Sequence, residues 1–115
     1  MIQVPSQARV FISHESLNFR NGIDGTAAVC RQVLEKDPMT GAVFVFRNRK
    51  GTMIRLLCYD GQGFWLCTKR FSEGKLRWWV PKNHGLEIFA AEIAVLIWGG
   101  NPSRCDFKSI WRKIT

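Results

Sequence analysis

The sequence predicts an α+β fold built on an antiparallel meander. Three observations carry this. Apolar runs rich in Val, Ile, Phe and Trp recur over 42–47, 52–59 and 64–70, and they are divided by turn residues at Asn48–Gly51 and Asp60–Gly63. The links between them are too short for anything but antiparallel neighbours. Two stretches with helical apolar spacing flank the runs. At 115 residues the chain is long enough for one core and too short for two, so residues 1–102 are read as a single domain and 103–115 as a basic tail.

Each element has its own justification. Ala8 to Ser13 has strand character, with Val10, Phe11 and Ile12 contiguous. A helix follows, with Asp24 as the expected N-cap after the Gly22 break. Ile23, Ala27, Cys30 and Leu34 fall on one apolar stripe, Lys36 suits the C-terminal dipole, and Asp37-Pro38 stops the helix. The three runs above come next, and Lys75 to Val80 reads as a fourth strand after Ser72-Glu73-Gly74. The first strand joins the meander at an edge, giving four to five strands. A second helix is expected over Ala90 to Trp98, ended by Gly99-Gly100 and by Asn101-Pro102. In the tail, Phe107, Ile110, Trp111 and Ile114 have the spacing of a short amphipathic helix that packs on the sheet, with docking on a partner or on DNA as the alternative.

Alternation along the strands assigns their faces. Val43, Val45, Ile54, Leu56, Cys58, Trp65 and Cys67 share one, while Phe44, Phe46, Met53, Arg55, Leu57, Tyr59, Phe64 and Leu66 share the other. Both are apolar, and two helices look insufficient to cover them. The expectation is a sheet that closes on itself as a barrel-like roll or is buried against a partner. Trp65 and Trp78 are expected in the core, with one of Trp78 and Trp79 pointing outward.

Charge points to a partner. The net charge is +8, and nine basic residues between Arg47 and Lys82 face only Asp60 and Glu73. A focus of this kind suits a polyanion, because each neutralised phosphate releases condensed counterions. Arg47, Arg49 and Lys50 cluster at one expected hairpin tip, where long side chains reach outward without disturbing the core. Arg55, Lys69, Arg70, Lys75 and Arg77 complete the candidate DNA-binding set, with tryptophans interleaved that suit stacking on single-stranded or distorted DNA. A solubilising face is the plainer reading of the same charge.

Other chemistry lacks support in the residues. Cys30, Cys58, Cys67 and Cys105 form no C-x-x-C pair, and His14 and His84 are the only imidazoles, so no metal site is expected. The cysteines read as buried thiols. Asp24 reads as a cap, Asp37 as a stop and Asp60 as a turn residue, which leaves no convergent carboxylates for two-metal strand transfer. Gly61-Gln62-Gly63 is followed by no helix, so a dinucleotide site is not indicated. No catalytic residue and no cofactor is expected. The first residues carry no basic segment followed by an apolar run, and no apolar stretch is long enough to span a bilayer; a cytoplasmic, membrane-free location is the expectation.

Five motifs stand in order: Arg20 with Gly22-Ile23-Asp24-Gly25; Asp37-Pro38 with Gly41; Phe44 to Gly51; Asp60-Gly61 with Gly63; and Lys69-Arg70 with Gly74 and Trp78. Their order and spacing resemble those of the accessory proteins called TnpB, encoded beside the transposase in the sixty-six family of bacterial insertion sequences, over about 4–101. Those accessory proteins are unrelated to the RNA-guided nucleases that share their name. Asn21 stands where that pattern has lysine, Tyr59 where it has tryptophan, and Phe89 where a Ser or Thr would cap the second helix. The resemblance implies a bacterial mobile genetic element and a non-catalytic accessory role in transposition beside the transposase. Arg20, Gly22, Asp24, Gly25, Asp60, Gly61 and Gly63 are the motif positions without an assigned role. Direct DNA binding at element ends or target is one expectation; the alternative is a protein-interaction module that docks on the transposase without touching DNA. A homo-oligomer is left open.

Overall fold

The computed structural model describes residues 8–102; the amphipathic pattern from Phe107 to Ile114 lies outside the described residues. Five strands form one open sheet: β1 (Val10–Ile12), β2 (Val43–Arg47), β3 (Met53–Tyr59), β4 (Phe64–Arg70) and β5 (Glu87–Ile88), in the order β4-β3-β2-β1-β5. Helix α1 (Ile23–Gln32) connects β1 to β2, and α2 (Ala90–Ile97) follows β5. The β2-β3-β4 meander is antiparallel throughout, with Val43 opposite Cys58 and Cys58 opposite Trp65. That register reproduces the face assignment made from alternation.

Four expectations are corrected. β1 is an inner strand rather than an edge: it runs parallel to β2 and antiparallel to β5. Its three residues are all buried, as a strand covered on both faces requires. Lys75 to Val80 is not a strand. Trp78 and Trp79 both pack toward the cluster that holds Val80, whereas a strand would send neighbours to opposite faces. The sheet is not closed into a barrel, because each face has its own cover. α1 packs Ala27 and Cys30, with Leu34 just beyond its end, on Phe44, Phe46 and Leu57. α2 packs Ala90, Ile93 and Leu96 on Val43, Val45, Ile54 and Leu56, and the irregular strap through Leu76, Trp78, Trp79 and Val80 extends that layer. Lastly, Gly22 rather than Asp24 is the N-cap of α1. Asp24 lies in the first turn, where its charge suits the positive end of the dipole, and Ile23 is exposed rather than on the buried stripe.

The helix ends follow from local chemistry. A Cβ at Gly25 would lie 3.0 Å from the Cβ of Asn21, a contact that no side-chain rotation relieves. Phe89 caps α2 without a side-chain oxygen. Instead the Glu92 carboxylate accepts its backbone N–H at 2.9 Å, one half of a capping box.

Candidate nucleic-acid interface

The tip between β2 and β3 is organised by Asn48. Its Oδ1 accepts the backbone N–H of Thr52 at 2.9 Å and of Met53 at 3.0 Å, and its Nδ2 donates to Thr52 Oγ1 at 2.8 Å. Gly51 donates its N–H to the Asn48 carbonyl at 3.2 Å and takes φ +71°, which a side chain would resist. Asn48 and Gly51 thus build the turn, and the two residues between them are left to solvent. Those two are Arg49 and Lys50, both exposed.

A second loop rises beside the tip. Asn18 forms an Asx-type turn, accepting the Arg20 N–H on Oδ1 at 3.0 Å and the Asn21 N–H on its carbonyl at 3.0 Å. Leu17 donates its N–H to the Arg47 carbonyl at 2.8 Å, which ties the loop to the end of β2. The deeper anchor is Arg55 on β3. Its guanidinium donates to the Asn21 carbonyl at 2.6 Å, the Phe19 carbonyl at 3.1 Å and Thr68 Oγ1 at 2.9 Å, and it lies 4.3 Å from the Phe19 ring centroid. Arg55 is only 8% exposed, and burial lowers its pKa from the ordinary arginine value.

Loop and tip enclose an open groove of about 860 Å³ that also reaches Arg70 at the end of β4. Arg20, Arg49, Lys50 and Arg70 line it, with Asn18 and Phe19 among the other wall residues, and the lining contains no carboxylate. Arg20 and Arg70 are thereby gathered with the tip, although they lie 29 residues before and 21 after Arg49. Sequence reading placed Arg49, Lys50 and Arg70 in the DNA set but left Arg20 without a role. Its presence in a motif was the one signal available.

The remaining candidates lie elsewhere. Lys75 and Arg77 are exposed and flank Leu76, whose N–H donates to the Gly51 carbonyl at 2.7 Å, so their backbone passes the foot of the tip. Arg47 is half-buried, with its guanidinium 5.7 Å from the Trp79 ring and one bond to the Asn48 carbonyl at 3.3 Å. Lys69 is turned to α2. Its Nζ donates to the Ile97 carbonyl at 2.7 Å, between the rings of Phe71 and Trp98, and so caps the helix C-terminus. Arg55 is a clamp beneath the groove.

The Asp60 motif is a turn with an added task. Asp60 Oδ1 accepts the Gln62 and Gly63 N–H groups at 2.9 and 3.0 Å, Gly61 takes positive φ, and Oδ2 accepts Trp65 Nε1 at 2.8 Å. These bonds hold the carboxylate below its ordinary pKa, backbone donors first and the indole after them. Trp65 is 62% exposed, not in the core as expected; Trp78 and Trp79 are both half-buried, and Trp79 donates Nε1 to the Ser13 carbonyl at 2.7 Å. Burial pushes the Cys30 thiol up to about 12, and Cys30, Cys58 and Cys67 are free thiols. Among the described residues no group of three or more His, Cys, Asp and Glu could hold a metal ion, and no helix is long and apolar enough to cross a membrane.

These features define a basic α+β protein whose open sheet is sandwiched between helices and whose positive groove rests on a buried arginine. Comparison with known proteins gives the family. The family described as IS66 Orf2 like protein matches residues 8–106, and the chain belongs to it. Membership associates the chain with the accessory proteins of insertion sequences. Two relatives in Sinorhizobium fredii are similar over most of both chains. The uncharacterized protein y4hO is 31% identical over 86% of this chain and 86% of its own length. The uncharacterized protein y4jC is 30% identical over 90% of this chain and 89% of its own length. No solved structure matches.

Proposed function

We propose that this protein is a non-catalytic accessory factor in the transposition of an insertion sequence, acting in the cytoplasm beside the transposase and gripping DNA phosphates in the groove between the Asn18–Arg20 loop and the hairpin tip. The observation that carries the reading is the gathering of Arg20, Arg49, Lys50 and Arg70 on one groove with no carboxylate in its lining. Phosphate contacts of this kind fix position without reading bases, so binding extends across sequences. Lys75 and Arg77 extend the positive surface past the tip, while Arg55 keeps the loop in place.

Fluorescence anisotropy of the purified protein with duplex and single-stranded DNA across a salt series tests this. Four phosphate contacts give a log–log slope of roughly −3.6 on duplex, and Arg49→Ala with Lys50→Ala reduces its magnitude by roughly 1.8 while the circular dichroism spectrum stays unchanged. Equal slopes in wild type and the folded double variant remove the tip from the site. The second reading, docking on the transposase without DNA contact, draws on Phe89 and Trp98, exposed at opposite ends of α2. Salt-tolerant binding to the transposase of the same element, with no DNA binding at low salt, favours it.

A further inference from the structure

Three features of the β4 side have no part in the DNA groove. Among the described residues β4 has no neighbour on its outer edge. Trp65 stands out from that strand, 62% exposed, yet its indole is fixed in direction by Asp60. Beside it, an apolar hollow of about 260 Å³ is lined by Ile54, Leu56, Cys67, Ile97 and Trp98, the last 69% exposed. An exposed aromatic held in one orientation beside an apolar hollow is the arrangement of an interface anchor and its pocket. Here both lie on the same molecule and on the same sheet face.

The hydrogen-bond register of β4 says what fits. Asp60 donates its N–H to the Gly63 carbonyl at 3.0 Å and Phe71 to the Thr52 carbonyl at 2.9 Å. The bonds to β3 therefore fall on odd-numbered residues of β4, and Phe64, Leu66, Thr68 and Arg70 turn N–H and C=O to the free edge. An antiparallel partner strand with the same parity pairs even residues with even residues. We propose that the partner is a second copy of this chain, joined β4 to β4 about a two-fold axis at Cys67 into a continuous ten-stranded sheet.

In this register all seven residues of β4 pair. Phe64 opposes Arg70 of the second copy, Leu66 opposes Thr68, Trp65 opposes Lys69, and Cys67 opposes Cys67. Each cation meets an aromatic ring instead of another cation. The two Lys69 positions are separated by four residues along the strands, about 13 Å, beyond the screening length of about 8 Å at physiological salt. Trp65 of each copy arrives beside Lys69 of the other, at the mouth of the hollow under Trp98. One arrangement thus accounts for the open edge, the oriented indole and the hollow. The reading of the groove as a DNA site plays no part in it.

The test uses the full chain. Sedimentation equilibrium without DNA is expected to give two chains of 13.2 kDa for the wild type. Trp65→Lys, which sets lysine against Lys69, is expected to give one chain with an unchanged circular dichroism spectrum, and Trp65→Glu, which pairs with Lys69, is expected to keep the dimer. Cys67 faces Cys67 in a non-hydrogen-bonded pair, where Cα atoms about 4.5 Å apart fall within disulfide reach. Diamide is therefore expected to trap a covalent dimer that Cys67→Ser abolishes and that Cys58→Ser and Cys105→Ser retain. A wild type that stays monomeric to millimolar concentration overturns the proposal and leaves the edge to another protein or to this chain's own C-terminal residues. A dimer that survives Trp65→Lys, or a cross-link that survives Cys67→Ser, overturns it as well.

Discussion

Replacing Arg55 with Met keeps most of the apolar stem and removes the guanidinium, and with it the bonds to Asn21, Phe19 and Thr68. Hydrogen bonds from a charged donor contribute about 1.5–3 kcal/mol each, and the stacking on Phe19 adds about 0.5–1 kcal/mol. Against this stands the cost of keeping a cation at 8% exposure, which the variant no longer bears. Taking the low end for each bond and letting desolvation offset roughly half of the sum leaves a net loss of about 2–3 kcal/mol. For a domain near 100 residues this lowers Tm by about 10–15 °C. Calorimetry measures that loss, and anisotropy below the transition measures its effect on DNA. With its anchor removed, the Asn18–Arg20 loop no longer holds Arg20 in the groove, so the salt slope falls by roughly 0.9, as it does for Arg20→Ala. An unchanged Tm refutes the clamp. An unchanged Tm with a reduced slope makes Arg55 a direct DNA contact instead.

Further outcomes follow from the same geometry. Asn48→Ala removes the acceptor shared by Thr52 and Met53 and is expected to destabilise by about 1–3 kcal/mol in urea melts, with weaker DNA binding because Arg49 and Lys50 lose their fixed turn. Asp60 has a lowered folded pKa, so its contribution to stability is present above the unfolded value near 3.9 and disappears as pH falls through the folded value. Trp65 fluorescence is expected to follow that loss on acidification below about pH 4, and Asp60→Asn to shift the transition. Cys30, buried with its thiol pushed up to about 12, is expected to resist thiol reagents at pH 8 until the protein unfolds; modification of Cys30 in the folded protein contradicts the packing of α1.

Much of the fold is legible because its centre is local. β2, β3 and β4 are joined by links of five and four residues, and such short links leave few registers open. The alternation of Val43, Ile54 and Cys58 against Phe44, Leu57 and Phe64 then assigns both faces correctly. The helices are marked by apolar spacing and by Gly and Pro near their ends, with errors at both ends of α1: Gly22 takes the cap that Asp24 was expected to hold, and the helix stops at Gln32, short of Leu34, Lys36 and the expected Asp37-Pro38 stop. Trp65 is a different kind of error. Its size and its place between strand residues argue for the core, but the Asp60 bond holds it outward.

The sequence by itself determined the meander, the two helices and a hairpin tip carrying Arg49 and Lys50, because short-range hydrogen bonding and period-two alternation are written in adjacent residues. Only the tertiary structure decided that β1 lies inside the sheet, that Lys75 to Val80 is an irregular strap, and that Arg55 is buried while Arg20 joins Arg49, Lys50 and Arg70 on one groove. The reason is that these depend on long-range placement. An arginine at an inward strand position reads the same in sequence whether it meets solvent or the carbonyls of a loop 34 residues away, and the loop that covers it is fixed by packing that no local pattern records.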